Sequence, residues 1–231
     1  MAVLILGLAY KASFLPATFS YEIRVVASRL FQNGRIAGGS VFQLPADYHR
    51  QEHSLSCEIA SLKMALSALG FNVAESELLA KMDFDSSPKT ASSWGDPNLG
   101  FVGSINGKMP ETGYGVYWDP IARLASAYTL AETAQFDAKK LAEELKNGHP
   151  VIAWGFVGSG KRMFWTAPSG RKIDAVQGEH ARTVVGYWGS ADSPSGFVIL
   201  DPIYGKLYWK TETLMKNWSA FNRIGIILKN Q

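Results

Sequence analysis

The stretch Gln51-Glu-His-Ser-Leu-Ser-Cys57 carries the only cysteine among 231 residues, and it opens a run of apolar residues at helical spacing. Ser56 is a typical helix N-cap, so the helix is predicted to begin at Cys57. The apolar positions behind it are Ile59, Leu62, Leu66 and Leu69. A thiol at a helix start lies at the positive end of the helix dipole, which favours the nucleophilic thiolate. The alternative interpretation is a small, buried and inert apolar residue.

The composition excludes several classes of protein. Apolar residues make up 47% of the chain and charged residues 19%, so a packed core is expected and global disorder is excluded. The net charge is only +3, and without a run of lysines and arginines no nucleic-acid partner is expected. A single cysteine allows no internal disulfide and leaves the redox compartment open.

Residues 1–40 are predicted to form an apolar N-terminal segment and linker, and residues 41–231 the folded domain. Met1 to Phe19 contains one charged residue, Lys11, and its apolar core is shorter than the roughly 20 residues that span a bilayer. It resembles the hydrophobic part of a signal peptide or anchor, although no basic residues precede it. We therefore expect possible membrane association through residues 1–19 and a membrane-anchored or secreted location at the cell envelope. The alternatives are a buried first element and a cytoplasmic location.

Helical patterns precede strand patterns along the chain. Helices are predicted at residues 57–69, 72–82, 119–128 and 138–147. Asn72 and Asp119 are the predicted N-caps of the second and third helices, and Asp137 caps the fourth. Strands are predicted at residues 41–44, 151–154, 162–166, 171–176, 180–187, 197–200, 206–209 and 223–228, with a short helix at 212–218. This order predicts an α+β fold in which an N-terminal helical part packs on a C-terminal antiparallel sheet.

Residues 83–118 show no periodicity and are rich in glycine and aromatic residues. Loops of this length inside a compact domain are usually lids or binding loops. Trp94, Tyr114, Tyr117 and Trp118 are therefore predicted to form a wall of a substrate cleft.

A nucleophilic cysteine needs a base, a group that orients the base, and donors for an oxyanion. His180 is the candidate base, because it opens an apolar strand directly after Glu179. Asp201 ends the next strand, so its carboxylate is expected to reach the imidazole and fix its tautomer. Each residue also has an ordinary alternative, a structural histidine at a strand start and an Asp-Pro turn.

The order glutamine, cysteine, histidine, acid resembles that of the papain-like cysteine peptidases. The similarity is closest to the bacterial branch that includes the double-glycine leader peptidases of bacteriocin exporters. In that branch a glutamine lies six residues before the cysteine, as Gln51 lies before Cys57. The contexts Gly-x-His to Gly-Tyr and apolar-Asp-Pro are matched by residues 178–187 and 199–202.

The resemblance runs from about residue 44 to 228 and has two departures. Glu58 stands where glycine is common, which places a negative charge beside the thiolate. No transporter or ATPase domain follows, so a leader-peptide substrate is not assumed.

The resemblance implies a papain-like fold and hydrolysis of peptide bonds by a triad of Cys57, His180 and Asp201, with Gln51 as oxyanion donor. The predicted substrate-binding residues are Trp94, Tyr114, Trp118 and Glu179. The expected partner is a peptide or protein, with no cofactor and no metal. Two alternatives stay open: a non-catalytic peptide-binding module on the same fold, and an acyl or peptidyl transferase using the same cysteine.

Two further patterns compete with this interpretation. His49, His53 and Cys57 would place three metal ligands on one face of a continuous helix, but a helix that begins at Cys57 does not align them. Residues 155–161 nearly match a phosphate-binding loop. Because Arg162 replaces the expected Ser or Thr and a strand follows, a hairpin connection or a loop at the edge of the cleft is predicted instead.

Overall fold

The computed structural model describes residues 41–230, so the segment predicted at residues 1–40 lies outside the described residues. The helices are α1 (Cys57–Ala68), α2 (Glu75–Ala80), α3 (Trp118–Ala125), α4 (Ala138–Lys146) and α5 (Thr211–Trp218), and a 3-10 turn follows at Ser219–Phe221. The strands are β1 (Val41–Gln43), β2 (Phe84–Asp85), β3 (Phe101–Val102), β4 (Leu130–Gln135), β5 (Val151–Phe156), β6 (Arg162–Thr166), β7 (Lys172–Val176), β8 (Glu179–Ser190), β9 (Ser193–Asp201), β10 (Gly205–Lys210) and β11 (Ile224–Lys229). Within residues 41–230, none of the helices combines the length and hydropathy that a membrane span requires.

A seven-stranded sheet forms the centre of the fold. Its order is β10-β9-β8-β5-β11-β4, every neighbouring pair is antiparallel, and β1 adds to β8. The predicted α+β architecture with an antiparallel sheet is therefore confirmed. Two smaller sheets pair β2 with β3 and β6 with β7.

The two faces of the sheet pack against different helices. Along β5, Ile152 and Trp154 belong to the core cluster that contains α1, whereas Val151 and Ala153 belong to the cluster that contains α4 and α5. This follows from the period of two along a strand, which sends successive side chains to opposite faces. The sheet is thus a middle layer between helices, which explains why β8 is buried from Glu179 to Tyr187.

Helix α1 is buried on nearly all sides. Its buried residues are Cys57, Glu58, Ile59, Ala60, Ser61, Leu62, Met64, Ala65 and Leu66. A helix in the middle of a core has no solvent face, so the single apolar stripe predicted from the sequence understates its burial. The Thr183 hydroxyl donates to the Ser61 carbonyl at 2.7 Å and fixes α1 against β8. This contact places the start of α1 beside the start of β8.

Several predicted helix starts differ from the structure. Helix α1 begins at Cys57 as predicted, but the Ser56 side chain does not cap it and instead donates to Glu75. Helix α2 begins at the buried residue Glu75 after an Ala74 cap, so the predicted cap at Asn72 is wrong. Helix α3 begins at Trp118, one residue before its predicted Asp119 cap. The Asp137 cap of α4 is confirmed.

The strands of the second half lie close to their predicted positions. β6 has the predicted bounds, and β8 and β9 extend the predicted segments until only two residues separate them. β4 was not predicted, because Leu-Ala-Glu-Thr-Ala-Gln lacks a run of β-branched residues and its extended conformation depends on pairing with β11.

Candidate active site

Cys57 lies at the first position of α1, facing the start of β8. Its side chain is 5% exposed. The Sγ atom donates to Glu58 Oε2 at 3.2 Å and accepts the backbone N–H of Ala181 at 3.5 Å. The residue that follows His180 therefore contacts the sulfur directly.

His180 and Asp201 form the predicted pair across two neighbouring strands. The β8–β9 register brings the start of β8 beside the end of β9, and His180 Nε2 lies 3.0 Å from Asp201 Oδ1. Both residues are buried. Since Nε2 is engaged by Asp201, Nδ1 is the ring nitrogen left to exchange a proton with another group.

Asp201 is held from three sides. Its Oδ1 atom accepts the backbone N–H groups of Ile203 and Tyr204 at 2.9 and 3.0 Å, and its Oδ2 atom accepts Arg182 Nε at 2.8 Å. Burial alone would raise the pKa of Asp201, but His180, Arg182 and the backbone donors outweigh it and hold this pKa below its ordinary value. Asp201 is therefore a fixed carboxylate that can orient an imidazole.

The His180 environment favours the neutral ring. Burial, assisted by the charge of Arg182, lowers the pKa of His180 below its ordinary value, although Asp201 acts in the opposite direction. A neutral imidazole is the form that can accept a proton, so the pair is arranged to act as a base.

Gln51 lies beside this pair, but its amide is occupied. The Gln51 backbone N–H donates to the Pro202 carbonyl at 3.1 Å. Its side-chain Nε2 donates to the carbonyls of His53 and Ser54 at 2.8 and 2.9 Å, which uses both amide hydrogens. An oxyanion role for Gln51 therefore requires the amide to release one of these carbonyls.

Glu58 and Glu179 meet at the cysteine, a convergence that the sequence did not reveal. Ligand atoms from Cys57, Glu58 and Glu179 all lie within 4.8 Å of one another, and all three side chains are buried. Glu58 Oε1 also accepts the backbone N–H of Val116 at 2.7 Å. The signal in the sequence was Glu58 itself, which departs from the glycine common in the resembled family.

Burial dominates the protonation of this cluster. Burial raises the pKa of Glu58 to about 7, and burial together with Glu58 raises the pKa of Glu179 well above its ordinary value. Burial, followed by the charges of Glu58 and Glu179, raises the pKa of Cys57. The thiolate expected from the helix dipole alone is therefore not the favoured form in this closed arrangement.

The aromatic residues predicted to wall a cleft lie mostly inside the fold. Trp94, Tyr114 and Tyr117 are buried, and Trp118 is partly buried with its ring stacked on Tyr117. Tyr114 packs edge-on against Trp165 and accepts the Val176 N–H at its hydroxyl. In this conformation these residues brace the loop at residues 83–117 instead of lining an open groove.

Neither competing sequence pattern is assembled among residues 41–230 in the way its spacing suggested. His49 contacts Glu75, and His53 Nδ1 lies 2.8 Å from Asn106 Oδ1, so neither histidine joins Cys57 in a ligand group among residues 41–230. Residues 157–161 connect β5 to β6, and a strand follows them instead of the helix that a phosphate-binding loop requires. Because β5 and β6 lie in different sheets, the predicted hairpin connection is wrong.

A cysteine at a buried helix start packs against the strand that carries a histidine, and an aspartate on the neighbouring antiparallel strand pairs with that histidine. This arrangement is typical of the papain-like class of cysteine peptidase folds. Within that class the chain belongs to the Peptidase_C39 like family, whose model matches residues 43–226. The resemblance inferred from the sequence is therefore confirmed at the level of the family.

Three similar proteins illustrate the relationship. The uncharacterized protein YvpB of Bacillus subtilis (strain 168) is 30% identical over 184 residues, which cover 75% of this chain and 68% of YvpB. A crystal structure from Bacillus anthracis, provisionally named a C39-like peptidase, superposes with a TM-score of 0.69 at 22% identity and covers 84% of this chain and 98% of that one. This similarity supports the fold alone.

A double glycine motif protease from an AMS/PCAT transporter, solved with its leader peptide, gives a TM-score of 0.49 at 15% identity and covers 82% of this chain and 94% of that one. The last similarity is too distant to support an argument about this chain.

Proposed function

We propose that the protein is a cysteine peptidase in which Cys57 is the nucleophile, His180 the base and Asp201 the residue that orients it. The observation that carries the proposal is the 3.0 Å contact between His180 Nε2 and Asp201 Oδ1. His180 lies on β8, and the residue after it on that strand, Ala181, contacts Cys57 Sγ. Membership of a family of C39-type peptidases supports the same chemistry.

The proposed reaction passes through a thioester on Cys57, which forms in the first half and is hydrolysed in the second. The Cys57 thiol transfers its proton to His180 Nδ1, and the resulting thiolate attacks the carbonyl carbon of a peptide bond. The backbone N–H of Cys57 and the released amide of Gln51 stabilise the oxyanion. Protonated His180 then donates its proton to the leaving amine, and water, deprotonated by the same ring, hydrolyses the thioester.

Access to the thiol is a requirement of this mechanism, since Cys57 is 5% exposed. A peptide substrate must displace part of the cover over the site. Glu58 links the start of α1 to the backbone of Val116 in that cover, so breaking this hydrogen bond is one route to an open site.

The test is turnover of a peptide library by the purified chain, followed by trapping with a peptide-like electrophile and mass mapping of the labelled residue. We expect cleavage, a label on Cys57, and loss of both in C57A. Cleavage retained by C57A would overturn the proposal.

A second candidate function is peptide binding without cleavage. The occupied Gln51 amide and the raised pKa of Cys57 favour this candidate. It predicts saturable peptide binding with no product and no covalent adduct. A transferase differs from the peptidase only in that an amine replaces water at the thioester, so adding amine acceptors to the cleavage assay separates the two.

The location at the cell envelope, through residues 1–19, is likewise a proposal. A tagged chain with and without those residues should partition differently between the membrane, secreted and cytoplasmic fractions. An identical distribution of the two forms would contradict a targeting role.

A further inference from the structure

We propose that Cys57, Glu58 and Glu179 form a binding site for a thiophilic divalent cation, represented by zinc, which blocks the cysteine while it is bound. The site uses one sulfur and one carboxylate oxygen from each glutamate. These atoms lie within 4.8 Å of one another in a buried position. Their chemistry suits zinc, which accepts thiolate and carboxylate ligands together.

The spacing of the three groups fits a small tetrahedral ion. Zinc binds sulfur at about 2.3 Å and oxygen at about 2.1 Å, so neighbouring ligands of one ion lie roughly 3.5 Å apart. Cys57 Sγ and Glu58 Oε2 are 3.2 Å apart, so both can reach one ion with little movement. Three protein ligands leave the fourth position open to water or to an added ligand.

An independent observation points to a missing ligand at this place. Glu179 is 4% exposed, and neither of its carboxylate oxygens has a hydrogen-bond partner within residues 41–230. Burying a carboxylate without a partner is costly unless a cation compensates it. An ion coordinated by Glu179 would supply the missing partner and the missing positive charge.

The backbone opposite the cluster leaves room for the two carboxylates. A Cβ atom on Gly115 would lie 2.5 Å from Glu179 Oε2 and 2.7 Å from Glu58 Oε1, so both oxygens converge on the point that this glycine leaves vacant. A side chain at this position would push the carboxylates away from each other and from the sulfur. The glycine therefore preserves the arrangement that the ion requires.

A second group of possible ligands is already satisfied. His49, Glu52 and Glu75 also lie within 4.8 Å of one another. The Glu75 carboxylate accepts the Ser56 hydroxyl and the Glu52 N–H and contacts His49 Nε2 at 2.6 Å. Because these contacts already partner the buried carboxylate, a cation is not needed to compensate it.

Binding of the ion changes protonation but not oxidation state. The Cys57 thiol loses its proton to solvent as the zinc–sulfur bond forms, and any proton held by the two carboxyl groups leaves in the same way. Coordination itself stands independently of turnover. That it blocks catalysis rests on the proposed peptidase function.

The binding experiment uses zinc chloride and the purified full chain in equilibrium dialysis, without substrate. We expect one zinc ion per chain, loss of that ion in C57S, and affinity weakened at least about tenfold in E179Q and E58Q, since even indirect changes at metal sites cost that much. H53A is the matched control, because His53 belongs to the helix-spaced pattern but contacts Asn106, and it should bind normally.

Two further measurements identify the sulfur as a ligand. Cadmium should add an ultraviolet thiolate-to-metal absorption band that C57S lacks. Saturating zinc should slow alkylation of Cys57 by iodoacetamide at least about tenfold, and a chelator should restore the rate.

The absence of stoichiometric zinc binding would overturn the inference, and so would equal affinity in E179Q and the unchanged chain. Loss of zinc binding in H53A would show that the ion binds the histidines of the helix-spaced pattern, and it would overturn the site proposed at Glu58 and Glu179. Circular dichroism of every variant verifies folding, and E58Q keeps an oxygen that can accept the Val116 N–H. Because dialysis involves no substrate, a chain that binds zinc but cleaves nothing would reject only the peptidase.

Discussion

Two buried charge clusters lie on either side of the β8 start, and they differ in how their charges are matched. In the first, Asp201 accepts from His180 and Arg182, and Arg182 also donates to Asn217 at 3.2 Å. In the second, Glu179 has no hydrogen-bond partner among residues 41–230, and its nearest acidic neighbour is Glu58. In the first cluster the carboxylate is matched by hydrogen-bonded cations, whereas in the second two acids and a thiol lie together without such a match among residues 41–230, which is where we propose a cation binds.

The comparison separates two uses of buried charge. A carboxylate with a cation and backbone donors fixes geometry, which a catalytic base requires. Two acids beside a thiol keep that thiol protonated and leave room for a positive ligand. Adjacent residues of β8 thus belong to the two clusters: His180 pairs with the carboxylate of Asp201, and Glu179 lies beside Glu58 and Cys57.

The largest effect is expected from removing the proposed nucleophile. C57A should lower the rate of peptide cleavage by at least about 10³-fold, because the remaining site retains only binding and oxyanion contributions. Cleavage of a peptide substrate by matched preparations measures it. H53A should cleave at the unchanged rate, and a C57A rate near that of H53A would show that another group is the nucleophile.

D201N should remove the charge that pairs with Arg182 and His180. It leaves Arg182 buried opposite a neutral amide, and the free energy of unfolding should fall by about 3–5 kcal/mol at neutral pH, as measured by urea unfolding. D192N is the control, because Asp192 forms an exposed ion pair with Lys139, and its loss should leave stability nearly unchanged. Equal stability of the two variants would contradict the comparison.

The lowered pKa of Asp201 also predicts that the free energy of unfolding depends on pH in acid. Because the folded-state pKa of Asp201 lies below its ordinary value of 3.8, its contribution is fully present above that value. The contribution is lost as pH falls from 3.8 towards the lower folded pKa. The difference in unfolding free energy between the unchanged chain and D201N should therefore shrink below pH 4. A difference that grows on acidification would have the wrong sign.

E179Q should have the opposite effect on the second cluster. Replacing one of two buried acids with a neutral amide should stabilise the metal-free protein by about 2 kcal/mol at neutral pH. Burial raises the pKa of Glu179, so the folded chain must hold a proton that the unfolded chain releases, and the amide does not carry this cost. Urea unfolding in the presence of a chelator measures it. Destabilisation comparable to D201N would show that Glu179 already has a structural partner.

The smallest effect concerns the glycine that faces the two acids. G115A should cost about 1 kcal/mol more than G70A, because both positions have positive φ but only at Gly115 does the added methyl group meet the carboxylates. Thermal unfolding of the two variants compares them directly. Equal losses would show that the carboxylates move aside freely.

Much of the cluster around His180 and Asp201 could be predicted from the sequence. The start of α1 at Cys57 and the strands that carry His180 and Asp201 follow from local patterns, and consecutive antiparallel strands bring the end of one beside the start of the other. The contact between His180 and Asp201 was expected on that basis. Arg182 was not recognised, because inside an apolar strand its partner depends on which face the strand buries.

The loop at residues 83–118 shows where local patterns fail. Its aromatic residues were predicted to line a cleft, yet Trp94 and Tyr114 pack within the core cluster around α1. No periodicity signals such burial, because these side chains become buried only when distant segments such as β6 and β7 cover them.

By itself the sequence determined the family, the start of α1 and the strands of the second half, and it supplied the three candidates for the proposed triad, since these depend on residue type and spacing along the chain. Only the tertiary structure decided that Glu58 and Glu179 meet at Cys57, that the Gln51 amide is occupied and that the thiol is covered. These features depend on contacts between residues up to 124 positions apart, such as that between Cys57 and Ala181. The pKa of a buried group is set by such neighbours and by the exclusion of water, neither of which local sequence encodes.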